Sequence, residues 1–156
     1  MRRKDREITD FGKMLGIVDG CGCCRLGLAD EEGVYIVPLN FGYENKNGEL
    51  TLYFHSAGEG KKIELAKKQS RVSFEMDTGH KLVERKTACA YTYLYQSVMG
   101  KGNIEFLKDY EAKCYGLNRI TAHYTGRTDW TFPEKMVNEM AVLKLTVTEW
   151  SCKEHR

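Results

Sequence analysis

The sequence predicts a mainly β domain, a six-stranded antiparallel β-barrel with helices on its flanks. Short β-branched and aromatic segments with period-2 alternation recur along the chain. Glycine and proline fall within or between them, where a closed sheet must bend. Helical spacing is confined to a few segments, with no internal repeat or linker among them.

At 156 residues the chain reads as one domain over 1–156, long enough to bury roughly 70% of its unfolded surface without staples. The 24 basic and 22 acidic residues leave a net charge of +2, which offers no strong field for nucleic acid or a membrane surface. No apolar run approaches a membrane span, and no signal-peptide core follows the basic start Met1-Arg2-Arg3-Lys4. A cytoplasmic location is therefore expected.

Residues 4–18 place Ile8, Phe11, Leu15 and Val18 at helical spacing, which predicts an amphipathic helix ended by Gly20 and Gly22. Strand residues Arg25–Leu28 then enter a turn at Asp30-Glu31-Glu32-Gly33. The segment Val34–Glu44 is long and β-branched, and Pro38 within it predicts an edge or a bulge. Asn45-Lys46-Asn47-Gly48 turns the chain into the strand Glu49–Phe54, completing a predicted three-stranded meander. A helix over 60–69 and a strand over Arg71–Met76 follow, then a polar loop over Asp77–Lys86. The run Ala88–Phe106 is β-prone, with Gly100 and Gly102 at a bend. Asp109 is suited to cap a helix to about Tyr124; Pro133 opens a short one, and Ala141–Trp150 alternates as the last strand.

The stretch Leu52–Leu65 carries the chemistry. A strand stops at His55-Ser56-Ala57-Gly58-Glu59-Gly60 and re-emerges as a helix opening with Lys61-Lys62. Free amides at a helix start favour an anion, Ser56 adds a hydroxyl, and Lys61 adds a full charge. A phosphate seat is the reading. It is not a Walker A loop, because His55 stands where the first glycine belongs and Lys62 where magnesium needs Ser or Thr. The alternative is an ordinary strand-to-helix turn with a solvated lysine pair.

Cys21 and Cys24 form a CxxC spacing, but no second Cys/His pair completes a four-ligand site. No metal is expected, and the cysteines read as small residues at a strand entry.

The order of parts resembles the pyridoxamine 5′-phosphate oxidase-like flavoproteins with a split β-barrel and, within them, the small nitroimidazole-resistance proteins. The resemblance runs through Arg2–Ile8, Tyr35–Phe41, His55–Lys61, Tyr95–Gly102 and the last strand. It implies FMN at a homodimer interface. By the same resemblance Lys61 would hold the FMN phosphate, with His55 and Ser56 beside it. Val37, Pro38, Leu39, Asn40 and Phe41 would lie along the flavin ring, and Gln96, Ser97 and Val98 would face the flavin or its phosphate across the barrel. The chain departs from the oxidases at Gly60-Lys61, where they have Arg-Lys, and near Trp150–Lys153, which lacks an Arg-x-His motif. Both departures argue against pyridoxamine 5′-phosphate as substrate.

The expected function is an FMN-dependent oxidoreductase of a small molecule, resembling a nitroreductase. The alternative is a flavin- or haem-binding carrier or sensor without turnover.

Overall fold

The computed structural model describes residues 3–156. A 3₁₀ turn at Lys4–Arg6 leads into a two-residue strand β1 (Glu7–Ile8) and then α1 (Phe11–Gly20). The predicted helix over 4–18 thus begins late. The Asp10 carboxylate caps α1 by accepting from the Lys13 amide at 2.8 Å, and Ile8 pairs with Cys152 in a sheet instead.

The following strands are β2 (Cys24–Asp30), β3 (Gly33–Leu39), β4 (Phe41–Lys46) and β5 (Glu49–Ala57); α2 (Lys61–Lys68) precedes β6 (Arg71–Val83) and β7 (Thr92–Leu107). Helices α3 (Tyr110–Thr125) and α4 (Glu134–Glu139) precede the final strand β8 (Met140–His155). The strands form one eight-stranded sheet in the order β3-β2-β6-β7-β8-β5-β4, with β1 on β8. The class is as expected, but eight strands replace six.

The segment read as one long strand is two. β3 and β4 are consecutive and separated only by Asn40, yet they lie at opposite ends of the sheet order. A single linking residue cannot cross a flat sheet, so the sheet is rolled until its two edges meet at Asn40. The result is a barrel left unpaired along the β3/β4 seam. The expected meander is therefore broken, since β3 pairs only with β2 and β4 only with β5. Pro38 has the edge position that its missing amide requires.

The polar segment after Met76 is strand rather than loop. β6 continues to Val83 against β7 through a register shift between Thr78 and Lys81, with Gly79 at φ 67°. This part of the hairpin is largely solvated on both faces, so no alternation marks it in the sequence. Gly100 and Gly102 do mark a bend: the β7/β8 register shifts between Lys101 and Gly102. A β-carbon at Gly102 would stand 2.2 Å from the Thr146 carbonyl oxygen.

The barrel interior is filled by Leu26, Leu28, Leu52, Phe54, Phe74, Met76, Val98 and Leu145. A second cluster, Tyr53, Leu117, Ile120, Val137 and Val142, lies outside the barrel, where α3 and α4 cover β5 and β8. None of the helices of the described residues is long and apolar enough to cross a membrane.

Candidate functional site

Strand alternation decides which way each residue of the β5–α2 turn points. Leu52, Phe54 and Ser56 belong to the barrel side, whereas Tyr53 packs outward with α3, and His55 follows it onto that outer face. Ser56 is buried, and its hydroxyl oxygen has no hydrogen-bond partner among the described residues. A buried hydroxyl left unpaired costs free energy, which points to a missing acceptor or donor there.

Gly60, at φ 110°, is the N-cap of α2 and supplies no side-chain cap. Its carbonyl accepts from the Ile63 amide at 2.9 Å and the Glu64 amide at 3.1 Å. The amides of Lys61 and Lys62 precede these and belong to the helix's unsatisfied first turn.

Lys61 is already engaged. Its ammonium lies 2.6 Å from Asp30 Oδ2 and 5.2 Å from the centre of the Tyr35 ring. The hydrogen bond between them raises the Lys61 pKa and lowers that of Asp30. An ammonium has three donor hydrogens, so the ion pair still leaves Lys61 able to hold an anion. His55 is an exposed residue, yet partial burial of its ring, followed by the positive charge of Lys62, pushes its pKa below the ordinary 6.5. His55 is therefore a neutral imidazole at pH 7.

The Val37–Phe41 segment reaches the same end of the barrel through pairing of Phe41 with Phe54. Val37 and Phe41 are buried, Leu39 is half-buried, and Pro38 and Asn40 are exposed. A ring lying on this segment would meet Pro38, Asn40 and backbone. Val34 and Ile36 share the face of Pro38 and are 68% and 63% exposed, so the open edge carries an apolar strip. Phe41 is also tied to α3, its amide donating to the Tyr124 hydroxyl at 3.2 Å.

Gln96, Ser97 and Val98 lie elsewhere. Gln96 donates to Glu154 at 2.7 Å; Ser97 pairs with Lys153, while His55 pairs with Val142. Those two partners are eleven residues apart on β8, or roughly 35 Å of strand at ~3.3 Å per residue. Val98 is fully buried between Met76 and Cys152 and offers only its backbone. One copy of the chain therefore sets Phe41 beside the strand that carries His55 and Ser56 and Lys61 beside Tyr35, with His55 and Ser56 on opposite faces, and leaves 96–98 far along β8 from them.

The cysteine cluster is buried packing. Cys21, Cys24 and Cys152 are unpaired thiols inside the barrel. Burial, with smaller effects from Asp77 and Glu75, pushes Cys21 up to about 12; burial alone does the same for Cys152. They are protonated and unreactive at neutral pH. Among the described residues no group of three or more His, Cys, Asp or Glu side chains could hold a metal ion.

Sequence reasoning did not find the Asp30 partner of Lys61, which comes from the end of β2, thirty-one residues earlier. It also missed an apolar cavity of about 190 Å³ beside His55, walled by α3 and α4. Its residues carry no signal beyond that of ordinary core.

The profile of the family described as pyridoxamine 5′-phosphate oxidase matches residues 13–154. A crystal structure from Bacteroides thetaiotaomicron, described as a "putative 5-nitroimidazole antibiotic resistance protein", is 36% identical. The match covers 95% of this chain and 86% of that one, with a TM-score of 0.82. A flavocytochrome from Azotobacter vinelandii shares the fold at 19% identity, covering 100% and 72% of the two chains, with a TM-score of 0.80. An FAD- and haem-binding protein from Mycobacterium smegmatis does so at 17% identity, covering 97% and 74%, with a TM-score of 0.82. No curated protein matches the chain.

Proposed function

Because the chain belongs to the pyridoxamine 5′-phosphate oxidase family, we propose that it is an FMN-dependent oxidoreductase of a small organic molecule. The observation that carries this is the buried, partnerless Ser56 hydroxyl at the end of β5, just before a helix that opens on Lys61-Lys62 without a side-chain cap. These groups fit a phosphate monoester: one hydroxyl donor, free first-turn amides and two cations. Bound there, the flavin would supply reversible hydride uptake.

The chain's own residues bind and orient. Lys61 and Ser56 grip the phosphate, and the Asp30 carboxylate holds the Lys61 side chain in place. Pro38 and the backbone of Val37–Phe41 give the ring a flat edge whose one fixed φ lowers the entropy of ordering. Gln96 and Ser97 are too far along β8 to serve the same site within one copy, so we place them in the site of a second copy. The homodimer would bury the Val34/Ile36/Pro38 strip and exclude water from the ring. A nitroaromatic is the substrate class favoured by the description of the 36% identical relative.

Purified protein should be yellow, or become so with added FMN, and should lose the flavin absorbance in Lys61→Ala. Reduced by a nicotinamide donor, it should be reoxidised rapidly by a nitroimidazole in stopped flow. Colourless protein that rejects added FMN would overturn the flavin, and reduction without reoxidation by any nitroaromatic would leave a carrier.

A further inference from the structure

β3 and β4 separate at Asn40, and among the described residues no backbone rung joins β4 to the β2 side of the split. On one side Leu39 is laddered to Cys24; on the other, Phe41 is laddered to Phe54. Phe41 is fully buried at the start of an edge strand, so its outward amide needs an acceptor. The Tyr124 hydroxyl, near the end of α3, accepts from it at 3.2 Å. That hydroxyl in turn donates to the Gly22 carbonyl at 2.9 Å, two residues before β2 begins. One phenol oxygen thus stands in the split where a closed barrel would join an amide directly to a carbonyl. Both bonds run in the same sense, amide to hydroxyl to carbonyl, so each polarises the other.

The residue before Tyr124 stiffens this joint. His123 Nε2 lies 2.8 Å from the Cys21 carbonyl oxygen, which only accepts, so the ring nitrogen is the donor. The His123 ring packs against Phe41, Tyr43 and Tyr124, with centroids 4.4, 5.7 and 4.9 Å away. The Tyr43 hydroxyl donates to Asp19 at 2.9 Å, which ties β4 to α1 as well. Two consecutive side chains of α3 therefore hold two consecutive carbonyls of the α1–β2 connection. Tyr110, at the other end of α3, makes a bond of the same chemistry, donating to the Phe132 carbonyl at 2.8 Å. It takes no part in the split.

Resting on the FMN reading above, we propose that Tyr124 is a positioning residue for the flavin. Its hydroxyl sets the width of the split at Asn40 and, through Phe41, where the Pro38–Phe41 backbone lies beneath the ring. Tyr124 acts through the strand and does not itself touch the flavin.

The test compares Tyr124→Phe with Tyr110→Phe, each of which loses one hydroxyl and keeps its ring. Tyr124 is 44% and Tyr110 38% exposed, so both variants keep the fold, which the unfolding temperature checks. In flavin-free full-length protein, NMR should show the Phe41 amide exchanging roughly three- to tenfold faster in Tyr124→Phe, the scale of one neutral hydrogen bond. The same amide should be unaffected in Tyr110→Phe. With FMN added, the dissociation constant should rise by a similar roughly three- to tenfold and the flavin absorption maximum should shift, again in Tyr124→Phe alone. An unchanged Phe41 exchange rate or unchanged FMN affinity in Tyr124→Phe would overturn the proposal, as would equal losses of affinity in the two variants. Parent protein that rejects added FMN would overturn the flavin reading itself, whereas parent protein that binds it beside an unaffected Tyr124→Phe overturns only the role of Tyr124.

Discussion

Lys61 Nζ lies 2.6 Å from Asp30 Oδ2, and this contact straps the start of α2 to the β2–β3 turn. The partners are unequally exposed, with side-chain accessibilities of 51% and 20%. Exposed pairs of this kind add little to stability because water and salt screen them. The contact matters more for where it holds the ammonium than for the folding free energy. Asp30→Asn should leave the unfolding temperature nearly unchanged and weaken FMN binding several-fold, since the ammonium is no longer held in place. Lys61→Ala should weaken binding roughly tenfold or more, the scale of one charge-assisted hydrogen bond. Quenching of flavin fluorescence on titration measures both.

Gly42 is where α3 touches the barrel most closely. A β-carbon there would stand 2.2 Å from the Arg119 carbonyl carbon and 2.3 Å from the Ile120 nitrogen, both backbone atoms with no flexible end to move aside. Gly42→Ala should therefore push α3 off β4 and cost more than about 3 kcal/mol, at the upper end of overpacking effects. Urea unfolding checks this. Gly22→Ala, whose β-carbon meets nothing within 4 Å, is the control and should stay within about 0.5 kcal/mol of the parent protein.

What the sequence disclosed and what it hid divide along physical lines. Local rules were legible: Asp109 caps α3 by accepting from the Ala112 amide at 2.8 Å, Pro38 lies on an edge strand, and Gly102 marks a register shift. Long-range placement was not. Nothing in Val34–Glu44 says that its halves belong to opposite edges of one sheet, because the β-branched first half and the aromatic second half read as one strand continuous across Asn40. The strand part of Asp77–Lys86, which runs to Val83, was hidden for the opposite reason, lacking an apolar face. Within the site, the Ser56 and Lys61 chemistry was readable from residue type and order. The opposite directions of His55 and Ser56 follow from strand alternation, but only once β5 is known to extend through Ala57.

The apolar strip on β3 carries the prediction about assembly. Ile36 and Val34 project from an edge strand and are covered by none of the described residues, an arrangement that isolated soluble chains avoid because it invites pairing. If that strip is the dimer contact beside the flavin, Ile36→Glu should convert the protein to a monomer by sedimentation velocity and lower flavin occupancy with it. The fold should persist, since Ile36 is not part of the core and its side chain already faces solvent. A variant that remains dimeric with full flavin would place the contact elsewhere.

His55 gives the pH prediction. Its pKa is depressed below 6.5, chiefly by burial and further by Lys62. The folded protein therefore binds fewer protons at this position than the unfolded chain as pH falls below 6.5. Stability contributed by the neutral ring is present above 6.5 and is lost progressively as pH falls toward the folded-state value. In NMR titration the His55 ring protons should show a midpoint below 6.5, and Lys62→Met should raise it without fully restoring it, because burial is the larger cause. Urea unfolding measured from pH 7.5 down to 5 should show stability falling with acid, and His55→Gln should flatten that slope. A midpoint at or above 6.5 would mean that the imidazole is not held neutral by its partial burial and by Lys62.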